Sequence, residues 1–179
     1  MCKLGVMSGL LLNEQIYLDV IQWRLPSVQR FLWIFTADIK DLHVQRHGRF
    51  VPLLDILAER VRAGVEVRLI HAKEPGPRFR FDFDRHRELI ESELFERILC
   101  PRMHMKILVG DGRWVFIGSA NLTGAGLGAK HPDRRNFEAG WLSEDPAVIA
   151  QVLEFADTFY LGDHCRTCRL RDVCPEPLA

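Results

Sequence analysis

One stretch of the sequence combines side chains that are suited to binding and transferring a phosphoryl group. It reads HMKILVGDGRWVFIGSAN. On a strand, the alternation of side chains would project His104 and Lys106 from one face, which puts an imidazole beside an ammonium. Farther along, Gly118 frees the backbone, while Ser119 and Asn121 add a hydroxyl and an amide that can surround an anion. Together these groups could hold a tetrahedral phosphate without a metal ion.

The elements that must position this stretch can be predicted from hydrophobic periodicity and turn residues. In chain order, the sequence predicts a helix over 13–24, a buried strand over 30–36, a polar loop over 38–48, a helix that has Pro52 near its first turn and ends just before Gly64, a strand over 65–70, a helix over 84–95, strands over 103–109 and 114–117, a strand over 136–142 and a helix that starts at Asp145. The strand-helix-strand unit within 30–70 predicts parallel strands with a right-handed crossover. The Asp111-Gly112 pair predicts a hairpin turn. We therefore expect an α/β fold with a mixed, mostly parallel sheet flanked by helices.

The spacing within the first stretch resembles the HKD motif of the phospholipase D superfamily. His-x-Lys is followed by four residues, an aspartate, six residues and then Gly-Ser-x-Asn. The resemblance extends to the VEVRLI strand before the motif and to NFEAGWL and the last helix after it. It implies a phospholipase D-like catalytic domain, which we place at residues 1–161.

This resemblance assigns roles to individual residues. His104 matches the histidine that attacks phosphorus or transfers a proton, and Lys106 matches a phosphate-binding cation. Ser119 and Asn121 match the pair that contacts the phosphate. Asp111 matches the motif aspartate and is counted among the catalytic residues, although it could equally serve only to hold the Asp-Gly turn.

Glu138, in the segment NFEAG, matches an acidic residue that lies near the histidine in the family. We expect it to accept a hydrogen bond from Nδ1 of His104, which would leave Nε2 free to attack. The alternative is that Glu138 forms a salt bridge at the edge of a strand.

The family chemistry uses two histidines from two motifs, whereas this sequence contains one motif. The segment His71-Ala72-Lys73 has the His-x-Lys spacing with which the motif begins, but no aspartate and no Gly-Ser-x-Asn follow it at the required distances. It is therefore not a second motif, although its position after a parallel strand leaves an auxiliary phosphate contact open. The second histidine would come from another copy in a homodimer, because an isologous interface brings a surface against its own copy. Single-motif members of the family, including small bacterial endonucleases, are built in this way.

The last residues, 162–179, form a separate tail that contains three cysteines. Cys165, Cys168 and Cys174 are spaced so that they can converge on one ion or cluster, whereas a disulfide would leave one unpaired. Unliganded, reduced cysteines are the alternative. The spacing and the final Cys-Pro resemble the iron–sulfur staple of RecB-like nucleases, which implies a structural [4Fe–4S] cluster; zinc is the alternative metal.

Three residues are candidates for the fourth ligand of such a site. By analogy with the staple, whose fourth cysteine comes from far upstream, Cys2 would close the site and is the expected ligand. Cys100 is an alternative, although it lies in an apolar run where free cysteines are commonly buried. His164 is a third candidate and would favour zinc.

The amino-acid composition of the chain limits the kinds of partner that it can bind. The chain has 179 residues with 24 Lys plus Arg and 24 Asp plus Glu, so attraction to a polyanion must come from local patches. No apolar run is long enough to cross a membrane, and residues 4–12 lack the features of a secretory signal. We expect a cytoplasmic protein without membrane contact.

Basic and aromatic residues alternate in the segment RFRFDFDRHR, residues 78–87. Such a pattern suits single-stranded nucleic acid, because bases stack on rings while cations meet phosphates. However, Asp82 and Asp84 offset part of the charge, and alternating phenylalanines are also typical of a core.

These observations together predict a metal-independent phosphodiesterase, a homodimeric nuclease that acts on nucleic acid, with DNA as the expected substrate. It could act within a larger DNA-processing or defence complex. The alternatives are a phospholipid phosphodiesterase and a non-catalytic nucleic-acid-binding subunit of a defence or repair complex.

Overall fold

A computed structural model describes residues 8–40, 42–127 and 132–178 of the chain. The elements in order are β1 (Gly9–Leu12), α1 (Glu14–Ile16), a π-helical stretch (Tyr17–Arg24), α2 (Leu25–Ser27), β2 (Phe31–Thr36), β3 (His43–Arg46), β4 (Arg49–Pro52), α3 (Leu53–Arg62), β5 (Glu66–His71), α4 (Pro77–Phe83), α5 (Arg87–Glu91), β6 (Phe95–Leu99), β7 (Ile107–Gly110), β8 (Trp114–Gly118), a 3₁₀ turn (Pro132–Arg134), β9 (Ala139–Ser143), α6 (Pro146–Tyr160) and a second 3₁₀ turn (Arg171–Val173).

Among these residues, seven strands form one sheet in the order β1-β9-β8-β7-β2-β5-β6, and β3 pairs with β4 in a separate hairpin. Parallel pairing joins β2 to β5 and β5 to β6, as the strand-helix-strand unit predicts. The pairs β1–β9, β2–β7, β7–β8 and β8–β9 are antiparallel. The predicted mixed α/β class, with a large sheet flanked by helices, is therefore confirmed.

Both faces of the central strand β2 are buried, which explains its uninterrupted apolar sequence. Leu32 and Ile34 face a core formed with the N-terminal helices and α3. Trp33 and Phe35 face a second core, in which α6 covers the opposite side of the sheet. β2 and the neighbouring β7 therefore lie between two hydrophobic layers, which gives the segments at the ends of these strands a rigid base.

Two segments differ from the sequence-based expectation. The predicted polar loop over 38–48 contains β3, which turns into β4 at His47 and Gly48, both with positive φ. The predicted helix over 84–95 is instead a short α5 followed by the edge strand β6. The apolar residues of this segment have helical spacing, but α5 ends at Glu91 and the chain pairs with β5 from Phe95 onward.

At its N-terminal end, the described chain forms β1, which pairs with β9 at the edge of the sheet. Within the part of the chain that the structure describes, no helix is long and apolar enough to cross a membrane.

Candidate active site

The β7–β8 hairpin brings the two halves of the phosphate-binding stretch together. Lys106 immediately precedes β7, and Ser119 immediately follows β8. The antiparallel pairing of Ile107 with Ile117 places these flanking residues at the same end of the hairpin. A backbone hydrogen bond of 3.0 Å from Gly118 N to Lys106 O closes that end.

Glycine at position 118 has a steric reason. A Cβ at Gly118 would lie 2.6 Å from Cζ of Phe116 and 2.9 Å from the carbonyl oxygen of Ala139. Gly140, its cross-strand neighbour, is equally constrained, because a Cβ there would lie 2.3 Å from Cε2 of Phe116. The two glycines let the Phe116 ring fill this position, while the chain continues directly into Ser119.

His104 and Lys106 lie in the segment that leads into β7, because the strand begins later than predicted. The His104 imidazole is exposed to solvent. Lys106 Nζ donates a hydrogen bond of 2.8 Å to the backbone oxygen of His104 and lies 3.5 Å from His104 Nδ1. The ammonium group is therefore held beside the imidazole, although the two residues are not in a regular strand.

Glu138 contacts Ser119 rather than His104. The Ser119 hydroxyl donates a hydrogen bond to Oε2 of Glu138 and accepts one of 3.1 Å from the amide of Ala139. Asn136 Nδ2 donates to Oε1 of Glu138 at 3.1 Å. Both carboxylate oxygens are thus engaged, and no hydrogen bond joins His104 to Glu138, so the predicted Nδ1 contact is wrong for this structure. Glu138 instead orients the serine hydroxyl.

Asn121 links the site to the segment after β2. Its Oδ1 accepts hydrogen bonds from the Asp38 amide at 3.1 Å and from the Thr36 hydroxyl at 3.4 Å. The Asp38 carboxylate in turn pairs with Lys40 at 2.9 Å and with Lys73 at 3.5 Å. No local pattern pointed to Thr36 or the two lysines, because the contacts cross segments that are far apart in the chain.

Asp111 does not lie with the other predicted catalytic residues. It occupies the hairpin turn, at the opposite end of β7, which is roughly 13 Å long at about 3.3 Å per residue. Its carboxylate accepts hydrogen bonds from the amides of Gln29, Arg30 and Phe31 at 2.7 to 3.2 Å. Asp111 also has a positive φ of 55°. These contacts favour the alternative in which Asp111 holds the turn, because its carboxylate joins the turn to the start of β2, and its catalytic role stays a prediction.

His71 is fully buried, with 0% of its surface exposed. Its Nδ1 lies 2.9 Å from the backbone oxygen of Lys73, and its Nε2 is buried without a hydrogen-bond partner. Burial lowers the pKa of this imidazole from its ordinary value of 6.5. A phosphate group cannot reach His71, so an auxiliary phosphate contact in this segment would have to come from Lys73, whose side chain is exposed.

The alternating segment 78–87 contributes mainly to the core. The rings of Phe79 and Phe83 stack with their centroids 6.0 Å apart, and Phe83 also contacts Phe95. Phe81 is exposed. Arg80 pairs with Glu74 at 3.1 Å. The core interpretation of the alternating phenylalanines is correct for Phe79 and Phe83.

A pocket of about 400 Å³ opens beside His104. Its lining combines cysteine thiols, methionine thioethers, phenylalanine rings, imidazoles and one guanidinium group: Cys100, Arg102, Met103, His104, Met105, Phe155, Phe159, His164, Cys165 and Cys168. Arg102 Nη1 lies 3.5 Å from Sγ of Cys168, and this hydrogen bond lowers the pKa of the Cys168 thiol. Cys2 lies outside the described residues. His164 stacks near Phe155, with ring centroids 5.4 Å apart.

Comparison with known proteins identifies the fold. A family model described as "Cardiolipin synthase, PLD-like domain" matches residues 27–159. No curated protein matches the sequence. NucT from Helicobacter pylori superposes with a TM-score of 0.63 at 14% identity, covering 85% of this chain and 94% of NucT. Nuc from Salmonella typhimurium, a phospholipase D family member, gives a TM-score of 0.59 at 12% identity, with 83% and 91% coverage.

Two longer proteins contain the same fold. TrmBL2, an archaeal chromatin protein described as having a novel mode of DNA binding, gives a TM-score of 0.58 at 17% identity, covering 86% of this chain and 51% of TrmBL2. The phosphatidylserine synthase of Haemophilus influenzae gives 0.60 at 17% identity, with 88% and 40% coverage. At such low identities, these similarities establish the fold alone.

Proposed function

Because the chain belongs to the family of PLD-like domains, we propose that it is a phosphodiesterase that cleaves nucleic acid, with DNA as the substrate. The observation that carries this proposal is that the bonded pairs His104–Lys106 and Ser119–Glu138 lie at the same solvent-accessible end of the β7–β8 hairpin. The group combines a nucleophile, a cation and an oriented hydroxyl, which are the functions that phosphoryl transfer needs.

In the proposed reaction, Nε2 of His104 attacks the phosphorus atom and forms an N–P bond. The bond between phosphorus and the leaving ester oxygen breaks, and its electron pair stays on that oxygen. A second imidazole then donates a proton to the oxygen. The second imidazole then removes a proton from water, which attacks the phosphohistidine, restores His104 and releases the phosphate monoester. Lys106 and Ser119 would bind the non-bridging oxygens, so the proposed steps use no catalytic metal.

The second imidazole would be His104 of a second copy of the chain. The sequence contains one complete motif, and the imidazole of the similar segment at His71 is inaccessible. A two-fold axis beside the site would bring two His104 side chains to opposite sides of one phosphate. A homodimer is therefore part of the proposed mechanism.

An exposed apolar row beside the site is the surface we assign to this dimer. Leu10, Trp141 and Ile117 are cross-strand neighbours on β1, β9 and β8. They remain 60%, 48% and 39% exposed, although residues farther along this face of the sheet are buried by α6. Ile117 is two residues from Ser119. A second copy that covers this row would bury apolar surface and approach the site at the same time.

Nucleic acid is preferred over phospholipid as the substrate. The sequence resembles the single-motif endonuclease branch of the family, and its cysteine tail resembles that of DNA-processing nucleases. The TrmBL2 comparison adds a protein of this fold whose description names DNA binding. Phospholipid cleavage, the runner-up, takes its support from the phosphatidylserine synthase of the same fold.

The substrate experiment compares wild type with His104→Ala on single-stranded DNA, duplex DNA, RNA and phosphatidylcholine micelles. We expect cleavage of DNA by wild type and none by the variant. Cleavage of the micelles alone would identify a lipid enzyme. DNA binding without cleavage by a folded, dimeric wild type would identify a non-catalytic subunit.

The dimer is tested by co-folding equal amounts of wild type and His104→Ala. If each site needs two His104 side chains, only dimers with two wild-type chains are active, which leaves about one quarter of the activity of pure wild type at equal total protein. Independent sites would leave about one half. Trp141→Arg should convert the dimer to a monomer in light scattering, and a monomer that keeps full activity would contradict the shared site.

A further inference from the structure

The cysteine tail is attached to the body of the protein next to the segment that carries His104. Glu176 accepts a hydrogen bond of 2.5 Å from the backbone amide of Leu99, the last residue of β6. Leu178 packs against the core beneath α6. Arg171 Nη1 bonds the backbone oxygens of Cys165 and Leu178, at 3.3 and 3.2 Å, so both ends of the tail are held together.

The three tail cysteines are gathered by turns in this docked segment. Cys168 N donates to Cys165 O at 3.2 Å, so the two cysteines flank one turn. Cys174 N donates to Arg171 O at 3.3 Å, at the end of the second 3₁₀ turn. The tail therefore folds back on itself, and Glu176 attaches it to the end of β6.

Cys100 lies beside the point where the tail docks, because it follows Leu99, whose amide bonds Glu176. It follows β6 directly and is anchored by a hydrogen bond of 2.8 Å from its amide to the backbone oxygen of His71. Cys100, Cys165 and Cys168 also line the pocket beside His104. All four are free thiols, and none is fully buried.

We propose that Cys100, Cys165, Cys168 and Cys174 are the four ligands of one metal centre, with Cys100 in the place that the sequence assigned to Cys2. The tertiary structure supplies a reason for this choice, since Cys100 lies where the tail docks. Four thiolates are the donor set of a Cys₄ zinc site and of a [4Fe–4S] cluster. The cluster is the group that the sequence pattern implies, and zinc is its alternative.

The charges around the thiols suit such a centre. Four thiolates carry more negative charge than a Zn²⁺ ion or a [4Fe–4S] core offsets. Arg102 already contacts Cys168 Sγ, and Arg171 is held beside Cys165. These two guanidinium groups would balance the excess negative charge of the ligated centre.

The thiols need to turn before they can bind. In residues 8–40, 42–127 and 132–178, as their side chains stand, no three His, Cys, Asp or Glu residues are grouped to hold a metal ion. A cysteine side chain changes direction by rotation about χ1 alone, and three of the four thiols already border one pocket. Rotation toward that pocket is the rearrangement that binding requires.

The location of Cys100 also connects the proposed centre to the site. Met103 N donates to Cys100 O at 2.8 Å, which closes a turn immediately before His104. Met103 is buried in the core beneath α6. A metal bound to Cys100 would therefore fix the start of the turn that presents His104.

The test measures metal, not cleavage, so its result does not depend on the proposed activity. Wild type is purified without oxygen, and its iron, acid-labile sulfide and zinc are determined. We expect about four iron atoms with sulfide, or about one zinc ion, per chain. Iron with sulfide and a brown colour identifies the cluster, whereas a colourless protein with zinc identifies the ion. A folded wild type that holds neither would overturn the proposal.

Matched serine variants identify the fourth ligand. Cys100→Ser and Cys168→Ser should each retain less than about one tenth of the wild-type metal, whereas Cys2→Ser should retain all of it. Loss of metal in Cys2→Ser together with retention in Cys100→Ser would overturn the assignment. Circular dichroism and gel filtration establish that each variant is folded.

A measurement on wild type covers the case in which Cys100→Ser does not fold. The metal-loaded protein is alkylated with iodoacetamide before and after the metal is removed, and the modified cysteines are located by mass spectrometry. Cys100 and the three tail cysteines should become reactive only after removal, while the labelling of Cys2 should not depend on the metal. Equal labelling of Cys100 before and after removal would contradict its role as a ligand.

Discussion

His71-Ala72-Lys73 and His104-Met105-Lys106 have the same spacing of histidine and lysine but opposite environments. The first is at the end of β5, which lies between β2 and β6, and its imidazole is completely buried. The second precedes β7, and its imidazole is exposed beside a pocket. Lys73 pairs with Asp38, whereas Lys106 bonds the backbone of His104 itself.

This difference teaches that the spacing of two residues does not by itself define a site. The path of the chain after each histidine–lysine pair determines whether other polar groups are brought near that pair. After Lys106, a hairpin returns the chain, so that Ser119, with Glu138 bonded to it, lies at the same end of the hairpin as Lys106. After Lys73, the chain enters the short helix α4 and contributes phenylalanines to the core.

The largest expected difference between the two segments is in the loss of activity. His104→Ala should lower kcat on DNA by more than about 10³-fold, because it removes both the nucleophile and, in the other copy, the acid. His71→Leu, if folded, should stay within about threefold of wild type, because its imidazole cannot reach substrate. Steady-state kinetics on a DNA substrate would measure both. Equal losses in the two variants would remove the distinction between the segments.

The lysines provide a second test with a smaller effect. Lys106→Ala should lower kcat/KM by about 10²-fold, since a charge-assisted contact to the phosphate is lost. Lys73→Ala should change it by less than about threefold, because Lys73 is exposed and paired with Asp38. A loss in Lys73→Ala as large as that in Lys106→Ala would mean that both segments bind the reacting phosphate.

A third test compares the two ends of the β7–β8 hairpin. Asp111→Ala should reduce the free energy of unfolding by about 2 kcal/mol, because the amides of residues 29–31 lose a charged acceptor. Activity per folded molecule should be retained. Asp157→Ala, an exposed aspartate on α6, is the control and should change stability by less than about 0.5 kcal/mol. Urea unfolding and kinetics on the same samples measure both quantities. If Asp111→Ala abolished activity without destabilising the fold, the aspartate would belong to the site after all.

The smallest expected effect is a pH dependence that originates at His71. Burial lowers the pKa of this imidazole in the folded state below its ordinary value of 6.5. The unfolded chain therefore binds more protons, so this contribution to stability is complete above about pH 6.5 and is lost as the pH falls toward the folded-state pKa. Thermal unfolding at several pH values between about 7 and 5 should reveal a steeper decline in Tm for wild type than for His71→Leu. Identical slopes would indicate that His71 does not titrate differently in the two states.

Much of the fold can be predicted from local patterns. The apolar run over β2, the helix α3 that ends before Gly64, and the hairpin turn at Asp111-Gly112 were all predictable from residue types and spacing. β6 was not, because the apolar residues just before it have helical spacing, which favoured a helix up to Phe95, and its pairing partner β5 is distant in the chain. For the same reason, Thr36 and Asp38 were not predictable as partners of Asn121.

The sequence by itself determined which chemical groups are available and how they are spaced along the chain: His104 with Lys106, Gly118 before Ser119, and three cysteines in the tail. Only the tertiary structure decided which of these groups are accessible and which meet. It buried His71, bonded Asp111 to the start of β2, joined Glu138 to Ser119 and brought Cys100 to one pocket with Cys165 and Cys168. The physical reason is that exposure and side-chain contacts depend on the pairing of distant strands and on core packing, which local spacing does not specify.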